Sequence, residues 1–378
     1  MRIICNIFVT FFLLLALPLP VFGIMQQDPS QRIVLEHSDS LRVRHGIREL
    51  MGHVRIRRGE TVIKSDNALQ DQAEGRVVLT GNVHLTEPDR KAKAERMSFN
   101  EVSGDFEASR SVDMTVGDSL RIRCDMAKYI KSEGRIDLFG SVVIDNLTDG
   151  SRITGKHGRW LVDSKKGVID EQPVYKLPGK ESEDGDTLTI LSKKLEFYQD
   201  SRSALFTGEV KLTQDALTTY SDTLHHMPDS SRTYLSGNPF IVRDNDQVMG
   251  DMMELHYRGK ELEKMIIQGN AIALSRRNPE SLRYDRLDGN TLMLITVNDS
   301  TRRIRADGSA QSRYHVWDKD DVYQGLNLAA ANTIDLLIVS DKSREIDLSG
   351  RSNGGFYPPG MEPPEPELKR NREIFNRK

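Results

Sequence analysis

Apolar residues alternate with polar ones along most of the chain, a pattern that predicts β-strands. The clearest copies share the template apolar-x-Gly-x-Val-x-Leu/Ile, as in residues 79–85. The apolar residues and the glycine of each copy point to one face, because successive side chains of a strand alternate between faces. An inward glycine weakens a strand unless the backbone bends there. The template therefore predicts long strands bent at the glycines Gly52, Gly81, Gly140, Gly208, Gly237 and Gly269.

The template is an internal repeat, which is a strong guide to fold. Its ten centres lie at positions 52, 81, 110, 140, 173, 208, 237, 269, 308 and 350, so that neighbouring centres are 29 to 42 residues apart. Arg110 and Pro173 replace the glycine in two copies, while the flanking alternation is kept. We expect about ten similar structural units.

A second template follows each centre after 13 to 19 residues; it begins with a small residue and often ends with an aromatic one, as from Ala94 to Phe99. The apolar frame slips by one position at the small residue, as a β-bulge would cause. Cys124 occupies such a position and corresponds to Ala94 and Gly155. We expect Cys124 to be a buried small residue and not a nucleophile.

Two strands in each unit, joined by short polar turns, predict an antiparallel meander. Helical periodicity is absent from the mature chain, so the predicted fold is all-β: an elongated stack of bent, antiparallel strands. The inward positions predict an apolar interior. Whether the interior is filled by its own side chains or open as a groove is left undecided by the pattern. Its candidate lining residues are Val54, Ile56, Val83, Leu85, Met97, Phe99, Tyr129, Val142, Ile144, Trp160, Phe197, Val210 and Leu212.

The first 23 residues are typical of a cleaved secretory signal. Arg2 precedes an apolar run from Ile7 to Leu17, and two prolines and a site ending at Gly23 follow. The run is short for a bilayer span, although an uncleaved anchor is the alternative. After cleavage at Gly23, Cys124 is the remaining cysteine, so the exported chain is expected to have no internal disulfide.

The remaining chain divides at two polar segments. We expect β repeats over residues 24–175, an exposed acidic loop over 176–187, further repeats over 188–355, and a flexible, proline-rich, charged tail over 356–378.

Composition is consistent with a thin repeated core. The 378 residues are 37% hydrophobic, below the ~45 to 50% typical of globular chains. Each short unit needs apolar residues only on the inward faces of its strands, which accounts for the low value. The formal net charge of -3 argues against a nucleic-acid partner.

The recurring Gly-x-Val-x-Leu/Ile strand and its small-residue partner strand, behind a signal segment, resemble the OstA-like family of periplasmic lipopolysaccharide-transport bridge proteins. The resemblance covers residues 47–350. It implies an open β-jellyroll in which an apolar groove carries acyl chains of lipopolysaccharide from the inner to the outer membrane, without catalysis. It also implies transport components of like fold in both membranes as partners, and end-to-end association. The chain departs from the family by its length and its number of units.

A stack of strands also exposes unpaired backbone groups at both ends, which favours strand addition by a partner. The residues thus predict, independently of the resemblance, head-to-tail self-association or docking to proteins of like fold.

Two other functions are weighed against lipid transport. The first is a structural β-solenoid or adhesin-like rod of the cell envelope, without lipid cargo. The second is a GDSL-type esterase, because residues 117–120 read Gly-Asp-Ser-Leu and an Asp-x-x-His stretch ends at His225. Such hydrolases need helices that this sequence does not predict, and near-copies of the motif recur where strands begin. We predict no catalytic residue, metal site or cofactor; His225 and His226 have no cysteine or carboxylate set at metal spacing.

Overall fold

The computed structural model describes residues 34–364, except 89, 149, 179–186, 199–200, 202, 215, 259–260, 279–280, 282, 299–300 and 340–342. The expected signal segment, most of the acidic loop and the tail after residue 364 lie outside the described residues. The chain forms two compact units, divided after Gly237.

The described residues of the first unit form seventeen strands. They are β1 (Val34–His37), β2 (Ser40–Arg44), β3 (Ile47–Arg58), β4 (Thr61–Asp71), β5 (Arg76–Glu87), β6 (Arg90–Asn100), β7 (Phe106–Val116), β8 (Leu120–Ile130), β9 (Arg135–Asn146), β10 (Arg152–Leu161), β11 (Lys166–Glu171), β12 (Val174–Leu177), β13 (Leu188–Leu191), β14 (Lys194–Tyr198), β15 (Ser203–Gln214), β16 (Leu217–Met227) and β17 (Arg232–Ser236).

Nine strands lie in the described part of the second unit. They are β18 (Phe240–Arg243), β19 (Asp246–Met249), β20 (Met252–Arg258), β21 (Glu261–Arg276), β22 (Tyr284–Asn298), β23 (Thr301–Trp317), β24 (Tyr323–Val339), β25 (Ser343–Ser349) and β26 (Asn353–Tyr357).

Within each unit, the strands pair antiparallel, mostly with their neighbours in sequence. Over the described ranges, the helical segments are two short 3-10 turns, Lys131–Glu133 and Pro228–Ser230. No helix in this part of the chain has the length and hydrophobicity to cross a lipid bilayer. The predicted fold class, all-β with stacked antiparallel strands, is confirmed.

The long strands change direction at the repeat centres. Gly81 and Asn82 both have left-handed backbone angles, with φ of 75° and 45°, and the register with β6 shifts between Thr80 and Val83. Two left-handed residues in mid-strand bend the strand and pass through a region that glycine enters at least cost. The other predicted kink positions have φ between 71° and 86°: Gly52, Gly140, Gly208, Gly237 and Gly269. We refer to each such pair of positions as a bend.

The two copies that lack glycine keep a left-handed backbone. Arg110 and Ser111 have φ of 66° and 57°, and Gln172, just before Pro173, has φ of 53°. The backbone therefore keeps a left-handed residue at these two repeat centres, although the template glycine is replaced there.

The bends produce two facing layers in the first unit. The first layer contains the halves of β5 and β9 before the glycine, and the second layer contains the halves after it. The ring of Tyr175, in the second layer, lies 6.1 Å from the ring of Phe206 in the first. A Cβ on Gly155, in the second layer, would overlap the side chain of Ile169 in the first. The inward faces of the two layers are thus in contact.

Strand pairing continues across the expected acidic loop. β12 runs to Leu177 and β13 starts at Leu188, and these two residues pair directly. Division of the repeats at this loop stays a prediction. At the other end, Phe356 and Tyr357, the first residues of the expected tail, belong to β26 and pair with β24.

Candidate lipid-binding groove

An aromatic row lines the first layer on its inward side, four residues from the bend. Phe99, Tyr129, Trp160 and Phe197, predicted to lie on alternate strands, are joined in one cross-strand ladder. The rings of Trp160 and Phe197 lie 5.8 Å apart. Gly167 makes this possible, because a Cβ there would overlap the Phe197 ring. The complete aromatic row is Val77, Phe99, Phe106, Tyr129, Ile136, Trp160, Gly167 and Phe197.

An aliphatic row lines the second layer at the matching distance from the bend. It joins Ile56, Leu85, Ile144 and Leu212, all candidate lining residues, through the strands between them. The complete aliphatic row is Ile56, Ile63, Leu85, Ala92, Met114, Ile122, Ile144, Ile153, Tyr175, Ile190 and Leu212. The two rows form the sides of a continuous apolar interior.

Burial decreases from the bend outward. Val54, Val142 and Val210, each two residues beyond a bend, are 1 to 2% exposed. Ile56, Ile144 and Leu212, two residues further along the same strands, are only half-buried. We call this outer side the mouth. The interior is therefore filled by its own side chains at the bend and is partly accessible at these three positions of the mouth, whereas Leu85, Ile122 and Ile190 of the same row are buried.

The other candidate residues follow the same trend with some variation. Val83, Met97, Leu85, Tyr129 and Trp160 are buried. Phe99 and Phe197 are half-buried. The structure thus brings all thirteen candidates to the inward faces of one unit, and five of them reach the mouth.

The set of candidate lining residues left out positions on the partner strands, although the second template already places Ile122 and Ile190 in the inward frame. Ile63, Ile122, Ile153 and Ile190 belong to the aliphatic row, although none follows a repeat glycine. Each stands two residues before the small position of the second template, at Ser65, Cys124, Gly155 and Ser192. That spacing is the sequence signal that would have identified them.

A polar residue covers each bend that contains a repeat glycine, and the sequence templates missed this feature. The residue after the small position lies over the glycine of the next repeat, so that Asp66 covers Gly81 and Asp125 covers Gly140. The carboxylate then accepts a hydrogen bond from the residue after the glycine: Asn82 Nδ2 donates to Asp66 Oδ2 at 2.9 Å. The complete set of pairs is Asp39–Gly52, Asp66–Gly81, Asp125–Gly140, Lys193–Gly208, Asp222–Gly237, Asp251–Gly269, Asn290–Gly308 and Asn332–Gly350.

One bend carries the reversed charge arrangement. Lys193 takes the place of the carboxylate, and its Nζ donates to Glu209, the residue after Gly208. Because both partners change together, the covering contact is retained as a pair. At the first bend, Asp39 Oδ2 lies 2.9 Å from His53 Nδ1, and this bond raises the pKa of His53.

Cys124 is buried beside Val112, its cross-strand partner. Burial raises the pKa of its thiol to about 12, so the thiolate is scarce at neutral pH. The prediction that Cys124 is a buried small residue is confirmed.

The second unit has a similar interior with smaller residues beyond the bends. Ile267 lies just before the bend at Gly269 and pairs with Leu292. Ala271 and Ala310 follow the bends at Gly269 and Gly308, and all four side chains are 0 to 1% exposed. Before the bends, one inward row runs through Met253, Ile267, Leu292, Ala306, Ile334 and Leu348.

The apolar rows end at exposed edge strands. Leu41 of β2 pairs with Leu50, and Leu35 of β1 pairs with Ile56. Leu35 and Leu41 are 42% and 55% exposed. In the second unit, Leu348 of β25 is 39% exposed at the end of its row. Apolar interior positions are thus uncovered in the first and the last strands.

The esterase motif lies in a turn. Gly117 has φ of 54°, and Ser119 precedes β8. Asp222 of the Asp-x-x-His stretch covers Gly237 at a bend. His226 Nδ1 lies 2.9 Å from Thr233 Oγ1, and burial lowers the pKa of His226. Across the described residues, no three His, Cys, Asp or Glu side chains are arranged to hold a metal ion.

An open polar cavity of about 320 Å³ lies at the first-layer strand ends, next to Phe99 and Phe106. Its remaining lining residues are Glu74, Arg76, Ser98, Asn100, Ser103, Asp105, Glu107 and Lys128. This composition does not suit acyl chains.

Fold and interior together define an all-β protein of bent antiparallel strands around an apolar core that is accessible at one side. No family model and no curated protein sequence matches the chain. Among the solved structures that match is LptH from Pseudomonas aeruginosa, the LptA-homologous periplasmic component of its lipopolysaccharide transport device. The match has 11% sequence identity and a TM-score of 0.30, and it covers 38% of this chain and 95% of the LptH chain.

Proposed function

We propose that the protein is a non-catalytic, periplasmic lipid-binding bridge that carries lipopolysaccharide from the inner to the outer membrane. The observation that carries this proposal is the apolar interior, closed at the bends and accessible along the mouth. Acyl chains would lie between the aromatic row and the aliphatic row, with the charged headgroup outside. Each buried methylene contributes roughly 0.8 kcal/mol, so a few chains suffice for tight binding.

The cargo would lie towards the mouth and not at the bend. Val54, Val142 and Val210 already touch protein on all sides, so a chain at that depth would have to displace them. Ile144 and Leu212 are half-exposed, and a lipid would complete their burial.

The partners proposed are transport components of like fold in the two membranes, together with further copies of this chain. Edge strands β2 and β25 offer backbone hydrogen-bonding groups next to uncovered apolar residues, such as Leu41 and Leu348. A partner strand added at either edge would hydrogen-bond to these backbone groups and cover these apolar residues. It would also extend the apolar interior into the next molecule.

Lipid analysis tests the proposal directly. The protein is purified from its native envelope, and bound lipid is identified by mass spectrometry. We expect lipid A species in the wild type and a loss of at least tenfold in Ile144→Glu/Leu212→Glu, because two carboxylates at the mouth disfavour acyl chains. Val102→Glu is the control, since Val102 lies on a loop and is 85% exposed. Absence of lipid A in the wild type, with normal lipopolysaccharide export after depletion, would refute transport.

The complete burial of the residues at the bends also favours a second candidate, a structural envelope rod without cargo. A rod needs only a packed interior. The same experiment separates the two functions, because a rod would yield no specific lipid and its mouth variants would change stability alone.

A further inference from the structure

The outer face of the second layer is strongly basic in the first unit. Between β3 and β10, two rows of outward positions are continuous through the cross-strand pairs. Of these sixteen positions, eight are Lys or Arg and two are acidic. The basic residues are Arg55, Arg57, Lys64, Lys91, Lys93, Arg121, Arg123 and Arg152, and the acidic residues are Asp113 and Asp145.

The outer face of the first layer gives the matched comparison. Its two corresponding rows on the same strands hold three basic and three acidic residues: Arg96, Lys128 and Arg159 with Glu49, Glu107 and Asp137. The excess of positive charge is therefore confined to one outer face and does not follow from the overall charge of the chain, which is formally -3.

Nearby carboxylates neutralise only part of this charge. Glu36 of β1 bonds both Arg55 and Arg57, and Asp145 bonds both Arg123 and Arg152. Two arginines share each carboxylate, so positive charge is left over at both places. The hydrogen bonds and charges of the two arginines hold the pKa of Glu36 below its ordinary value.

The basic residues are densest on β3 to β6, where neither row contains an acidic residue. Lys64 and Lys91 are exposed there and have no ion-pair partner among the described residues. The turns at these strand ends carry charges of both signs, including Glu60 and Glu87. We call the outward cations of these four strands, Arg55, Arg57, Lys64, Lys91 and Lys93, the basic face.

Folding stability accounts for only part of the basic face, because Glu36 pairs with Arg55 and Arg57 but not with the three lysines. Arg55 and Lys64 are directly opposite each other on paired strands. Like charges at opposite positions destabilise a sheet. A binding role would explain why such an arrangement is present.

We propose that the basic face docks the protein on a membrane surface that carries anionic phospholipid headgroups. Ile56, half-buried at the mouth, lies near the end of β3; its side chain faces inward, and the neighbouring Arg55 and Arg57 face outward on the other side of the sheet. Cations thus border an accessible apolar edge, and a bilayer offers both anionic phosphates and apolar chains. A nucleic acid or an acidic protein would meet only the cations. Because sheets twist by roughly 20 to 25° per strand, a flat membrane would contact about four strands, as many as the basic face contains.

Docking through the outer face of the second layer would bring the strand ends that border the mouth close to the bilayer surface. Attachment itself does not require the proposed function, because the cations act without cargo. Each Lys or Arg near an anionic membrane strengthens binding about fivefold, and the effect weakens with added salt.

Vesicle sedimentation tests the proposal on the full mature chain. We expect binding to vesicles of equal parts phosphatidylcholine and phosphatidylglycerol, little binding to phosphatidylcholine alone, and release at high salt. The variant Lys64→Gln/Lys91→Gln should bind about 25-fold more weakly, since two cations are removed. Lys64→Arg/Lys91→Arg, which keeps the charge, should bind like the wild type.

Arg96→Gln/Lys128→Gln is the matched control, because it removes two cations from the opposite outer face. Equal weakening by both pairs, or tighter binding to polyglutamate or duplex DNA than to the anionic vesicles, would overturn the proposal. Lipid A content measured on the same variants keeps the two proposals apart. A wild type that carries lipid A but binds no vesicles would refute docking alone, and a wild type that binds vesicles but carries no lipid A would refute transport alone.

Discussion

At the residue scale, the repeat glycine is one half of a contact between two neighbouring strands. Asp125 lies over Gly140 and accepts a hydrogen bond from the backbone N–H of Ser141 at 3.2 Å. The glycine is therefore needed for two reasons, its left-handed backbone and the space taken by the carboxylate. The sequence template revealed the first reason, but the second depends on which strands become neighbours.

Comparison of Gly140→Ala with Gly46→Ala separates these two reasons. Both glycines have left-handed backbones, with φ of 86° and 82°, but nothing lies within 4 Å of a Cβ at Gly46. We expect Gly46→Ala to cost about 1 kcal/mol of unfolding free energy from backbone strain. Gly140→Ala should cost roughly 1 to 3 kcal/mol more, because its methyl group overlaps Asp125.

Urea denaturation measures both values. Adding Asp125→Ala should restore part of the loss in Gly140→Ala and none in Gly46→Ala, as a double-mutant cycle would show. Equal losses for the two glycines would mean that the covering carboxylate has no part in the requirement.

At the element scale, an ion-pair network on the outward side links β11 to β14. Glu196 accepts bonds from Lys166 and Lys194 and from the Tyr198 hydroxyl. Burial works to raise the pKa of Glu196, but these donors together outweigh it and lower the pKa to about 2. Sequence alone could not find this network, because Lys166 and Glu196 are brought together only by the pairing of β11 with β14.

The network predicts a pH-dependent stability. A carboxyl group with a lowered pKa stabilises the folded state above its ordinary pKa of 4.5, and this contribution is lost as the pH falls through about 2. We expect Glu196→Gln to lower the unfolding free energy by roughly 1 to 3 kcal/mol at pH 7, and the difference from wild type to shrink between about pH 4.5 and pH 2. Chemical denaturation over this pH range measures it. A difference that stays constant with pH would contradict the prediction.

At the scale of the whole molecule, β2 in the first unit and β25 in the second each pair with one strand only among the described residues. Leu348 on β25 and Leu41 on β2 occupy inward rows, yet both are exposed. In a closed fold, such positions would be covered by the next strand. The repeat pattern indicated open ends, and the structure adds which apolar residues are uncovered there.

Charged edge residues should therefore reduce self-association. In sedimentation experiments over a wide range of concentrations, we expect the Leu348→Lys variant to be more monomeric than the wild type, because a lysine on an edge strand opposes strand addition. Val102→Lys provides the control, since Val102 is exposed on a loop away from the edge strands. A wild type that stays monomeric at every concentration, without crosslinked partners, would contradict end-to-end association.

The sequence by itself determined the strands, the positions of the bends and the inward face, because alternation and repeat glycines are local properties of the chain. It also placed Cys124 correctly, since the small position recurs in each unit. Only the tertiary structure decided that Asp125 covers Gly140, that Ile63 and Ile153 join the aliphatic row, and that cations collect on one outer face. These features arise between strands, so they depend on register, which a single-residue slip would reverse. The tertiary structure also decided that inward side chains are fully packed at the bends and partly exposed at the mouth, because their packing depends on the distance between the two layers.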